Sequence, residues 1–109
     1  MDKDHEILGQ VRAAAQRKVL FLPHALRQMV RPDRMISTLE VRQVIGQGEV
    51  IEDYPEDPRG HSCLMLGFGD AGRALHVCCA PKDEYLAIVT AYVPDEHEWS
   101  EDFRARAKR

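Results

Sequence analysis

"SCLMLGFGDAGRALHVCCAPKDEYLAIVTAYV", residues 62–93, decides the fold. It holds three strand-sized apolar runs, "SCLMLGFG", "RALHVCCA" and "YLAIVTAYV", separated only by the short turns "DAG" and "KDE". Upstream, the helical period ends at Gly48; "EVIEDY" at 49–54 reads as a strand and reaches the first run through "PEDPRG". Together these segments predict a four-stranded antiparallel meander, closed by Pro94.

The residues before Glu49 carry the helical period instead. Ile7, Leu8, Val11, Ala14 and Ala15 predict an amphipathic helix over 4–17. "KVLFL", 18–22, reads as a short strand. Pro23 suits a first helical turn, where a missing N–H costs nothing, and Ala25, Leu26, Met29 and Val30 are its expected buried face as far as Pro32. "STLE", 37–40, has the spacing of a capping box, so a third helix is expected from Thr38 to Ile45, burying Leu39, Val41, Val44 and Ile45. Helices first and a sheet after give an α+β fold. A chain of 109 residues fits a single domain, with an N-terminal helix at 4–17, an α+β core at 18–94 and a charged tail at 95–109 that is a helix or frayed.

Hydrophobic residues make up 44% and charged residues 30% of the chain, as in ordinary soluble proteins. No segment approaches the roughly 20 apolar residues of a membrane helix, and "MDKDHEIL" lacks the apolar run of a signal peptide, so a cytoplasmic location is expected. Cys63, Cys78 and Cys79 are odd in number and lack CxxC spacing; they are expected to be free thiols. The net charge of −3 is unevenly spread. Residues 12–45 hold seven basic against two acidic side chains, a local +5, whereas residues 51–109 hold seven basic against twelve acidic, a local −5. Such asymmetry permits an anion site on an acidic protein.

Several motifs compete for a function. "GFGDAG", 67–72, matches GxGxxG by letters, but a strand follows it where dinucleotide binding needs a helix, so the glycines suit a hairpin. Glu52, Asp53, Glu56, Asp57 and His61 are better read as a solvated acidic loop than as a metal site, and no metal or cofactor is expected. His24 lies at a helix start, where the dipole favours neutral imidazole and free amides attract anions. Arg27 and Arg31 share its face, as substrate-binding candidates or as a plain solvated surface. His76 interrupts an apolar strand, as a catalytic group or as a hydrogen-bonded core histidine. With a three-residue "KDE" loop it would stand opposite Thr90; a four-residue loop would put the two on opposite sides of the sheet.

Between Phe21 and Trp99, "HALRQM", "RMIS", "GEVIEDYPEDPRGHSCLMLG", "RALHV" and "IVTAYVPDEHEW" resemble domain-of-unknown-function family forty-two fifty-eight, bacterial proteins without an assigned activity. Where its members often carry Glu-Arg after "HA", this chain has Leu26, Arg27 and Gln28. The family is similar to RelE/ParE-like toxins, of the ribonuclease-toxin type. The resemblance implies the toxin of a type II toxin–antitoxin pair, acting as a metal-independent endoribonuclease. It implies RNA as a partner, including messenger RNA on the ribosome, and a cognate antitoxin of zinc-finger type. It also implies a site formed by His24, Arg34, His76, Thr90 and Tyr92. In that reading the two histidines serve as acid and base, Arg34 and Arg27 clamp the phosphate, and Thr90 and Tyr92 hold the scissile group. The alternative is a non-catalytic protein-binding module, a ParE-like inhibitor or a regulatory protein.

Overall fold

A computed structural model describes residues 3–107, with side chains from Glu6 onward. Three helices, α1 (Lys3–Arg17), α2 (Pro23–Met29) and α3 (Thr38–Gln47), accompany five strands, β1 (Val19–Phe21), β2 (Glu49–Tyr54), β3 (Ser62–Phe68), β4 (Ala74–Pro81) and β5 (Leu86–Tyr92). The α+β class and the positions of the predicted elements match.

The sheet differs from the expected four-stranded meander. It has five strands in the order β1-β5-β4-β3-β2 and is mixed, because β1 pairs parallel to β5 through Val19–Leu86, Leu20–Ala87 and Phe21–Ile88. Without β1 the outer edge of β5 would present unpaired amides and carbonyls; with it, Leu86 N–H donates to Lys18 O at 2.8 Å and Leu22 N–H to Ile88 O at 3.1 Å.

The β4–β5 register also departs from the expectation. Pro81 faces Leu86 across a four-residue loop, the case expected to separate His76 from Thr90. A β-bulge between Cys78 and Cys79 undoes that consequence: beyond it Cys78 faces Thr90 and His76 faces Tyr92. One extra residue restores the parity. Leu86 and Ile88 therefore point to the helices, while Thr90 and Tyr92 share the opposite face with His76.

The helices cover one face of the sheet. There Ile7, Val11, Ala14, Ala25, Met29, Val41, Val44 and Ile45 pack on Met65, Leu75, Val77, Leu86 and Ile88. Burial of this apolar surface, at about 25 cal/mol per Å², is the main favourable term in folding. Contrary to expectation, Leu26, Val30 and Leu39 are not core residues but 44%, 64% and 65% exposed, while Glu40 is 1% exposed. α2 is only seven residues long and buries Ala25 and Met29, a narrower stripe than its apolar letters suggest.

The other face is covered by the C-terminal segment 95–107, neither helical nor frayed. Trp99 and Arg106 form an antiparallel bridge, Ser100 N–H donates to Ala105 O, and Ala107 N–H donates to Glu98 O. This strap places Trp99 and Phe103 against Leu64, Cys78, Ile51 and Tyr54. None of the described helices is long and apolar enough to cross a membrane. The three cysteines are free.

Candidate functional site

Two places in the molecule gather chemistry. The first lies between the sheet and the strap. His76 is fully buried, and both its ring nitrogens are engaged, Nδ1 with the Tyr92 hydroxyl at 3.1 Å and Nε2 with Phe103 O at 2.9 Å. A carbonyl only accepts, so Nε2 carries the proton and Nδ1 accepts from Tyr92. Burial holds the imidazole below its ordinary pKa, outweighing the carbonyl and Glu52, which act the other way. The ring is also wedged edge-on against Trp99, with centroids 4.4 Å apart.

Around it, Arg106 donates through Nε and Nη2 to both oxygens of Glu52 at 3.1 Å and lies 4.7 Å over the Trp99 ring. Tyr54 also donates to Glu52. Burial alone would raise the Glu52 carboxyl, but the bonds from Arg106 and Tyr54 prevail and lower it. Burial pushes the Tyr92 phenol up to about 12. An imidazole, two phenols, a carboxylate and a guanidinium suffice in kind for acid–base work. Yet among the described residues no buried polar side-chain atom lacks a partner, so the network is closed upon itself.

The second place is the corner joining α2 to α3. Ser37 caps α3, its hydroxyl accepting from Glu40 N–H while the Glu40 carboxylate accepts from Ser37 N–H, both at 3.0 Å. That same carboxylate accepts from Asp70 N–H at 2.8 Å and from Arg73 Nη2 at 2.9 Å. The Arg73 guanidinium holds the Glu40 carboxyl at about 2, below its usual range, despite the opposing effect of burial. Arg73 also donates to the carbonyls of Arg34 and Met35. The "GFGDAG" glycines serve this clamp: a Cβ on Gly69 would come within 2.2 Å of the Glu40 carboxylate, and one on Gly67 within 2.9 Å of Val44.

His76, Thr90 and Tyr92 are thus brought to one face of the sheet. His24, Arg27, Arg31 and Arg34 are not with them: they belong to α2 and the turn after it, whose buried residues pack against the opposite face. Arg34 contacts Gln28 and Asp33, and His24, Arg27 and Arg31 are exposed. The sheet separates the two histidines. Glu52, Tyr54, Arg73 and Arg106 were not picked out as partners, because Glu52–Arg106 and Glu40–Arg73 link residues far apart in the chain. Among the described residues no group of three or more His, Cys, Asp or Glu side chains could hold a metal ion. Of the residues expected in a solvated acidic loop, Glu52 and Asp53 lie instead in β2, where Glu52 pairs with Arg106 and Asp53 with His61 at 2.5 Å.

Residues 21–93 match the family described as Domain of unknown function (DUF4258), about two thirds of the chain. The chain belongs to this family. No curated protein and no solved structure matches it significantly. The DUF4258 region runs from β1 to the end of β5, so it includes the α2–α3 corner, whereas α1 and the strap lie outside it.

Proposed function

We propose that this DUF4258 protein works by binding another protein, as a non-catalytic toxin-like or regulatory module, and not by acid–base chemistry between His24 and His76. The observation that carries this is the state of His76. It is fully buried, bonded at both nitrogens and set on the far face of the sheet from Arg34 and His24. A general acid or base must come within hydrogen-bond reach of the reacting atom, and no substrate phosphate reaches all three groups at once. Helices on one face of a largely antiparallel sheet support kinship with RelE/ParE-like toxins, and with it a type II toxin–antitoxin pair.

A second reading keeps the metal-independent endoribonuclease and rests on one observation. His76, Thr90 and Tyr92 share a sheet face with Glu52 and Tyr54, and among the described residues only the strap, which carries Arg106, stands over them. RNA would have to displace that strap.

Incubating the purified protein with free and ribosome-bound RNA, with and without chelator, separates the two. The binding reading expects no cleavage, and growth inhibition in cells that His76→Gln leaves unchanged. Cleavage that survives chelation and disappears in His76→Gln would establish the nuclease instead.

A further inference from the structure

We infer that the α2–α3 corner is a docking surface for an amphipathic segment of a partner protein, apolar along one stripe and acidic beside it. The inference rests on the binding reading above and names the surface and the chemistry of its partner.

The three most exposed large apolar side chains among the described residues are Leu39 at 65%, Val30 at 64% and Met35 at 63%, and Leu26 at 44% lies one helical turn before Val30. All four fall within residues 26–39. Isolated exposed apolar residues are ordinary, but four of them on one short stretch of chain, from α2 through the turn to the start of α3, point to an interaction surface.

The backbone beneath is held rigid. Glu40 and Arg73 lock the turn through the carbonyls of Arg34 and Met35, and Ile36 N–H donates to Met29 O at 2.8 Å. Met35 has φ 45°, a left-handed conformation that costs stability in a residue with a bulky side chain. The Met35 side chain itself points to solvent, while its backbone turns a carbonyl to Arg73 and leads into buried Ile36. A pre-ordered turn loses little freedom on association, which is where a binding surface gains affinity.

Charge selects the partner. Between Lys18 and Leu39 the sole acidic residue is Asp33, shared by Arg31 at 3.4 Å and Arg34 at 4.0 Å, while Arg27 forms no ion pair among the described residues. Glu40 is occupied by Arg73. With Arg73 set against Glu40 and the exposed Asp70 beside it, the corner still keeps a small excess of guanidinium near its apolar side chains, which favours carboxylates flanking an apolar stripe and disfavours lysines there.

The test uses the full chain and two synthetic amphipathic peptides with leucines at helical spacing, one flanked by glutamates and the other by lysines. By fluorescence anisotropy, the acidic peptide should bind roughly tenfold or more tightly than the basic one. The Arg27→Glu, Arg31→Glu double variant should invert that preference. Met35→Gly should raise Tm, because glycine adopts positive φ freely, and yet weaken the acidic peptide. Equal binding of both peptides, binding of neither, or unchanged affinity in Met35→Gly would overturn the inference. So would saturable binding of a single-stranded RNA oligomer, or self-association in sedimentation, that the Arg27→Glu, Arg31→Glu variant abolishes. RNA cleavage by the same preparation would remove the binding function, while the peptide measurements would still decide the surface.

Discussion

Glu40 shows how much one side chain can hold in place. Its carboxylate serves the N-cap, the turn at Asp70 and Arg73 together, although its own residue is 1% exposed. A buried ion pair is not by itself stabilising, because desolvation offsets its attraction; breaking one by removing a single partner costs roughly 3–5 kcal/mol. Arg73→Leu should therefore destabilise the protein by about that much in urea denaturation, and Glu40→Gln by a comparable amount, since one carboxylate oxygen would become an NH2 group facing donors. The double variant Glu40→Leu, Arg73→Leu should recover part of the loss, with a coupling that a double-mutant cycle reads directly. Because the Glu40 pKa is lowered to about 2, its contribution is present above the unfolded value of 4.5 and is lost as pH falls toward 2. The capping box itself was legible in "STLE". The partner Arg73, thirty-three residues away, was not, because local spacing carries no information about which strand end lies beside a helix start.

At the level of elements, a loop and a bulge together decided which β5 side chains stand beside His76. Strand positions were readable from apolar runs, but register is a matter of single residues, and the four-residue loop alone would have turned Thr90 and Tyr92 to the helices. The expected shared face survived because the bulge compensated, which no feature of "CCAPKDEYLAIV" announces. One measurable consequence is pH dependence. Buried His76 has a lowered folded pKa, so below its ordinary value of 6.5 the unfolded chain binds the proton more readily than the folded one. Stability should thus be full above pH 6.5 and fall as pH drops below it, by at most about 1.4 kcal/mol per unit from this group. Urea unfolding from pH 8 to pH 5 checks it, with His76→Gln as the control. The variant should lose the slope over that window, and an unchanged slope would assign it to other groups.

For the molecule as a whole, two layers on one sheet were half legible. The helix layer was announced by period and caps; the strap was not, since "DEHEWSEDFRARAK" is too polar to advertise a packing role for Trp99 and Phe103. β1 was visible as a strand but not as a member of the sheet, because three residues give no hint of a parallel partner at Leu86–Ile88. What holds the strap can be settled by comparing magnitudes. Arg104 pairs with Glu49 and Arg106 with Glu52, but both arginines are more than half exposed, and such pairs contribute roughly 0.2–1 kcal/mol each. Trp99 is 4% exposed, and a large aromatic truncated to alanine typically costs about 3–5 kcal/mol. Apolar burial wins. Trp99→Ala should therefore release the strap, quicken amide exchange from Ser100 to Ala107 and lower stability severalfold more than Arg106→Ala, with 1 M salt changing little beyond the second effect. Were Arg106→Ala to release the strap as fully as Trp99→Ala does, the attachment would be electrostatic, and the face bearing His76 would open with ionic strength.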